Sequence, residues 1–239
     1  MKVIIAGGTG LIGEALTLNL LENGHQVTVL SRSAEAPRGF PEAARLVKWD
    51  GKSAGGWGQL VNESDALVNL AGENLSSGRW TAKRKQSIRA SRVHAGEAFV
   101  QALLQAKKQP AVLVQASGVG RYGVKNPALL DESSPLGSDF LASISKEWED
   151  STQPVEKLGV RRVIIRSGVV LSRNGGALGL MLLPFRLFVG GPLGTGDQWL
   201  SWVHIDDEVR AIRFLIENPA AQGSFNISSQ PVTNAQFAR

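Results

Sequence analysis

Cysteine is absent from the 239 residues, which excludes disulfide staples, thiolate-bound zinc, iron–sulfur clusters and thiol catalysis together. Histidine is scarce: His25, His94 and His204 are too dispersed for a metal-binding spacing, so no metal site is expected. Tyrosine occurs once, as Tyr122. Long apolar runs are also missing. The richest stretch, Leu178 to Val189, is broken by Pro184 and Arg186 and falls short of the roughly 20 residues needed to span a bilayer. The opening run ends at Ala6 in glycines and is too short for the core of a signal peptide. A soluble cytoplasmic protein without membrane contact is the expectation. With 26 Lys and Arg against 21 Asp and Glu the net charge is +5. The basic residues are scattered rather than striped, which suits a phosphate-bearing small molecule and not a nucleic acid.

What is present is a globular composition, 43% hydrophobic and 20% charged, which excludes a disordered or fibrous chain. Lys2 to Ala6 is a short β-branched run. Leu11 to Glu22 then carries Ile12, Ala15, Leu16 and Leu20 at helical spacing, and Gln26 to Leu30 is again a strand, completing one βαβ unit. Further strands are expected at Leu46–Trp49, Ala66–Leu70, Val112–Gln115, Arg162–Arg166 and Ser224–Ser228, with helices such as Ala90–Gln105 and Asp139–Lys157 between them. This alternation predicts an α/β fold built on a parallel, doubly wound sheet. The region from Ser172 to Trp199, with its glycine pairs and prolines, reads as an excursion from that sheet. Thr233 is positioned to cap a helix beginning at Asn234, but a helix ending by Arg239 is too short to be worth forming, so a C-terminal segment is expected to be missing.

The first strand runs into Gly7-Gly8-Thr9-Gly10-Leu11-Ile12-Gly13, where glycines allow a tight turn, backbone approach to a pyrophosphate and close packing of helix on strand. The helix that follows presents unpaired N–H groups and a partial positive charge. An acidic residue at the end of the second strand would read the ribose 2′-hydroxyl of NAD; here the residues are Ser31 and Arg32. A guanidinium there meets a 2′-phosphate bidentately, which favours NADP over NAD. Glu35 is the competing acid, and Asp50 is placed to bond the adenine amino group.

These residues, with Asn69-Leu70-Ala71-Gly72 ending the fourth strand and Ser117 following the fifth, resemble the extended short-chain dehydrogenase/reductase superfamily over the whole chain. Asn69-Leu70-Ala71-Gly72-Glu73-Asn74, Arg79-Trp80, Ser91-Arg92, Ser117 to Gly123 and Arg166 to Leu171 look like an atypical, sugar-nucleotide-epimerase-like branch; Trp202 to Asp207 is similar to the signature at its substrate-domain junction. The resemblance implies a Rossmann-type NAD(P)-binding domain over residues 1–171 and 200–229. A small, truncated substrate-binding subdomain would take residues 172–199 and 230–239. It further implies cofactor contacts from Leu70, Ala71, Gly72, Glu73, Arg92, Ser167, Gly168 and Val169, a small-molecule substrate, and pairing of two chains through Rossmann helices.

One departure matters more than the match. Family members use a Tyr-x-x-x-Lys pair in which the lysine activates the tyrosine for proton exchange. Lys146 stands at the lysine position, but Ala142 precedes it by four, and the fourth residue after Tyr122 is Asn126. Ser117, Tyr122 and Lys146 are therefore the candidate catalytic residues: Tyr122 as acid, Ser117 orienting it, Lys146 holding the ribose. Glu73 could serve as a base, and Arg79, Arg92 and Arg121 as anion contacts. The expected function is an NADP-binding oxidoreductase or epimerase-like enzyme transferring hydride to a small nucleotide-linked or polyol-like substrate. The alternative is a non-catalytic NADP(H)-binding sensor.

Overall fold

Strands form where short β-branched runs can be buried on both sides. In the computed structural model, which describes residues 1–123 and 129–238, Asn126 lies outside the described residues. The strands are β1 (Lys2–Ala6), β2 (Gln26–Ser31), β3 (Arg45–Lys48), β4 (Ala66–Asn69), β5 (Val112–Gly118), β6 (Arg161–Ser167), β7 (Val169–Ser172), β8 (Gly175–Gly176), β9 (Trp199–Leu200), β10 (Trp202–His204), β11 (Gly223–Ile227) and β12 (Val232–Thr233). The helices are α1 (Leu11–Glu22), α2 (Ala82–Gln105), α3 (Phe140–Asp150), α4 (Ala177–Arg186), α5 (Ile205–Glu217) and α6 (Asn234–Phe237).

Seven strands make one sheet in the order β11-β6-β5-β4-β1-β2-β3, every neighbouring pair parallel. This is the expected doubly wound sheet. Alternation within each strand divides the core in two. Val3, Ile5, Val114 and Ile165 meet Leu16 and Leu20 of α1 and Val209 and Ile212 of α5 on one face. Ile4, Ala6, Leu67 and Leu113 meet Ala95, Phe99 and Leu103 of α2 on the other. There Phe99 also packs with Trp57 and Trp49, at ring-centroid distances of 5.0 and 6.3 Å. The third helix, α3, lies beside α2 against β5.

Several boundaries differ from the sequence reading for physical reasons. The second helix begins at Ala82 and not Ala90, because Thr81 Oγ1 accepts from Arg84 N–H at 3.2 Å; its first turn is polar and carries no apolar period to reveal it. Likewise α3 ends at Asp150, and residues Gln153–Leu158 form a 3-10 turn at Pro154, whose ring cannot continue an α-helical ladder. The third strand stops at Lys48, so Asp50 lies in the turn beyond it. The single turn α6 does form: Thr233 Oγ1 accepts from Gln236 N–H while Gln236 Oε1 accepts from Thr233 N–H, a reciprocal box that outweighs its shortness.

After Ser167 the chain leaves the large sheet. The β7 strand pairs in parallel with β10 and antiparallel with β8, and β12 pairs with β9. Between them α4 has no buried residue, and Leu183, Leu187 and Phe188 are exposed.

Candidate functional site: the carboxyl edge of the sheet

Because the seven strands are parallel, β1, β2, β4, β5 and β6 all end on one edge, and strand order reverses there between β1 and β4. That reversal opens a crevice. The glycine loop, Ser31–Arg32, Leu70–Glu73, Ser117 and Ser167–Val169 are thus brought together by topology.

Two kinds of glycine line the loop. At Gly13 a Cβ would stand 2.2 Å from Gly7 O and 2.5 Å from Gly8 Cα, so the first turn of α1 rests on the loop only with glycine present. Gly10 is different. Its φ of −90° suits any residue, and a Cβ would meet only Gly7 O, at 3.4 Å. The protein leaves that space empty and exposed, as a backbone approached by a pyrophosphate requires. Thr9 is also exposed, and Gly10, the residue before α1, contributes no side-chain cap. The N–H groups of Leu11, Ile12 and Gly13, in the first helical turn, have no intrahelical acceptor and are aimed at this space. Gly7, at φ +79°, lets β1 turn against Leu70, whose carbonyl would stand 2.8 Å from a Cβ there.

At the end of β2, Ser31 is buried with its Oγ accepting from Ser33 N–H at 3.2 Å, while Arg32 is exposed beside Gly51. Arg32 has no carboxylate partner among the described residues. Asp50 is otherwise engaged. Its Oδ1 accepts from Lys52 and Ser53 N–H, both at 2.9 Å, and its Oδ2 from Ser53 Oγ at 2.7 Å. The Lys52 amide, followed by the Ser53 hydroxyl, holds its carboxyl below the ordinary range. An adenine amino group would have to share oxygens already committed to the turn.

The loop after β4 is tied down by α2. Arg84 pairs with Glu73, and Ser87 Oγ donates to the second Glu73 oxygen at 2.5 Å, so Glu73 is an anchor and not a free base. Arg92 is buried under Gly72, donates to Glu73 O and Ile88 O at 3.1 Å, and stacks 4.9 Å from the Trp148 ring. Burial pulls its guanidinium down to about 10, with the charge of Glu73 opposing. Ala71 N–H is likewise bonded, to Asn69 Oδ1 at 3.2 Å.

Two of the three candidate catalytic residues, Ser117 and Tyr122, join a network that the sequence did not announce. Ser117 Oγ donates to Glu149 Oε1 at 2.7 Å; Glu149, 5% exposed on α3, also accepts from Arg166 Nε at 2.9 Å and Nη2 at 3.1 Å, and pairs with Arg121 at 3.2 Å. Arg166 Nη1 then donates to the Tyr122 hydroxyl at 2.9 Å, which donates to Asn226 Oδ1 at 2.7 Å. Burial works against the Arg166 charge, yet its bonds to Glu149 and Tyr122 outweigh it and hold the guanidinium above its ordinary value. Glu149 lies two turns beyond Ala142 on α3. Arg166 opens one of the segments that carry the resemblance, but no motif spacing marks Glu149 or Asn226; the only signal for Glu149 was a charged residue in a segment that must be buried. Lys146, expected at the ribose, is instead half-exposed and pairs with Asp150 one turn on.

Just past β6 the N–H groups of Gly168 and Val169 are bonded to Ile227 O and Ser201 O, so neither amide is free for a ligand. Ser167 Oγ donates to Glu208 Oε1 at 2.6 Å. His204 caps α5 through Asp206 N–H at 3.3 Å, a structural role. Among the described residues no helix is long and apolar enough to cross a membrane, and no His, Cys, Asp and Glu cluster could hold a metal ion.

Comparison with known proteins agrees with this geometry. Residues 3–146 match the model of the NAD dependent epimerase/dehydratase family. The "Epimerase family protein YfhF" of Bacillus subtilis is 37% identical over 241 residues, covering all of this chain and 78% of the relative. The crystal structure of human epimerase family protein SDR39U1 with NADPH is similar at a TM-score of 0.85 and 36% identity, over all of this chain and 78% of that one. A Thermus thermophilus UDP-glucose 4-epimerase in complex with NAD shares the fold at a TM-score of 0.83 and 19% identity, covering 81% of that chain. The match over residues 3–146 and a relative 37% identical over the whole chain show that the chain belongs to the NAD dependent epimerase/dehydratase family.

Proposed function

We propose that the protein binds NADP(H) across the carboxyl edge of its sheet and transfers hydride to or from a small, nucleotide-linked or polyol-like substrate. The observation that carries this reading is the open amino end of α1 at Gly10, together with Arg32 at the end of the next strand, which has no carboxylate partner among the described residues. The phosphates would lie on the Leu11–Gly13 amides and the 2′-phosphate on Ser31 and Arg32. The NADPH-bound human relative supports the choice of NADP. The substrate would be held between this edge and a small subdomain of residues 172–199 and 230–239.

The bound dinucleotide supplies the hydride donor or acceptor. Ser117, whose hydroxyl proton is directed to Glu149, keeps its lone pairs available for a substrate hydroxyl. Tyr122 is bonded on both sides and must release Asn226 to donate a proton to a substrate oxygen. That engagement, with Lys146 on Asp150, favours the second reading, an NADP(H)-binding sensor without turnover.

Titration with NADPH and NADH, followed by NADPH consumption over a panel of carbonyl compounds, tests both. The enzyme reading expects NADPH to be preferred by at least about tenfold, near 1.4 kcal/mol. Arg32→Ala should abolish that preference, and Ser117→Ala or Tyr122→Phe should abolish turnover while binding persists. Tight binding with no turnover of any panel member is the sensor's outcome. Failure to bind either cofactor overturns both readings.

A further inference from the structure

Glu208 has no exposed surface, although it belongs to the first turn of α5, whose other acids, Asp206 and Asp207, are exposed. Its Oε1 accepts from Ser167 Oγ at 2.6 Å, and its Oε2 is buried with no partner. A carboxylate in that position has one side-chain hydrogen bond for two oxygens. The helix amino end favours its charge by up to ~1 kcal/mol. Burial disfavours the charge by more: it pushes the Glu208 carboxyl up to about 7, against the opposing Ser167 bond.

Among the described residues no cation pairs with it. On its own helix Arg210 is exposed and paired with Asp207. Asp206 pairs with His204, which ends β10 and is also exposed. Glu14 and Glu22 of α1 line the outer groove between α1 and α5. On β6, Arg166 points to the opposite face, where Glu149 holds it, because successive side chains of a strand alternate. Past β7, Arg173 is exposed. The hydrogen bond to Ser167 is therefore the side-chain link from Glu208 to its surroundings, and Ser167 begins the segment expected to meet the nicotinamide.

We propose that Glu208 couples its proton to the redox state of the nicotinamide, remaining a neutral acid with the reduced ring bound and becoming a carboxylate with the oxidised, cationic ring bound. This rests on the reading that the dinucleotide reaches Ser167–Val169. The argument is electrostatic. A negative charge buried without a counter-ion interacts strongly with a nearby unit charge, and oxidation of the ring creates one. Linkage is reciprocal, so the ring state moves the proton and the proton moves the preference for one ring state. Glu208 thereby becomes a specificity-determining group for NADPH against NADP+, acting through Ser167 and its own charge.

The test uses the two cofactors alone. NADPH and NADP+ are titrated separately into the wild type and Glu208→Gln between about pH 6 and about pH 8.5, with proton uptake read by calorimetry in buffers of different ionisation enthalpy. The 2′-phosphate, which takes a second proton near pH 6, is common to both cofactors and cancels in the ratio of their dissociation constants. In the wild type the ratio Kd(NADP+)/Kd(NADPH) should fall about tenfold across that range, and NADP+ binding should release more protons near neutrality than NADPH binding does; both differences should vanish in Glu208→Gln. If the variant does not fold, Glu208→Leu, which fills the same apolar setting, takes its place. A ratio that changes equally in wild type and variant, or not at all, overturns the proposal. Absence of binding by either cofactor overturns the dinucleotide reading beneath it, and the proposal with it.

Discussion

Replacing Glu208 by glutamine should flatten the pH dependence of folding stability in the free protein. The folded carboxyl is held at about 7 by burial, against an ordinary 4.5 in an unfolded chain. The folded state thus binds the proton more tightly, and between those two values it carries more protons than the unfolded state. Stability must then fall as pH rises through that window and level off above about pH 7. Each tenfold difference in proton affinity corresponds to about 1.4 kcal/mol, so the full decline is on the order of 3 kcal/mol. Glutamine carries no proton to lose. Its amide replaces an acid whose Oε2 has no partner, so the absolute stability of the variant also includes an unsatisfied-group cost of about 1–3 kcal/mol, which does not change with pH. The quantity to compare is therefore the slope. Urea unfolding of wild type and Glu208→Gln at half-unit steps from about pH 4.5 to about pH 8.5 should give a gap that changes by about 3 kcal/mol in favour of the variant. Parallel curves would refute the reasoning, since they would mean that Glu208 titrates alike folded and unfolded.

Other substitutions test the remaining parts of the edge. Gly13→Ala would set a methyl group 2.2 Å from Gly7 O, and should destabilise the fold by about 1–3 kcal/mol and lower NADPH affinity at least about tenfold, measured by unfolding and fluorescence titration. Arg166→Met removes two of the bonds that Glu149 accepts and should cost about 3–5 kcal/mol by denaturant unfolding. Lys146→Ala removes only a half-exposed pair with Asp150, and should change stability by less than about 0.5 kcal/mol. A larger loss of NADPH affinity in that variant would return the lysine to the ribose.

Much of the fold was legible because it rests on local rules. A β-branched run, a glycine turn, an amphipathic helix and a second such run in about thirty residues specify a βαβ unit whatever follows, and the observed β1, α1 and β2 keep those bounds within a residue. Capping was less legible. The polar first turns of α2 carry no apolar period, and the box at Thr233 and Gln236 stabilises a turn that length alone argued against. At the site, the positions of Gly10 and Arg32 on the sheet edge could be read in advance because they follow from spacing to a strand end.

The network behind Ser117 could not, because Glu149, Arg166, Tyr122 and Asn226 come from α3, β6, the turn after β5 and β11. The same holds for Lys146, whose motif position was readable while its pairing with Asp150 was not. The sequence by itself determined the parallel α/β sheet, the glycine loop at its edge and the absence of Tyr-x-x-x-Lys. Only the tertiary structure decided which charges are buried, which partners they find and that Glu208 has almost none, because burial and pairing depend on residues up to about a hundred positions apart being folded onto one edge.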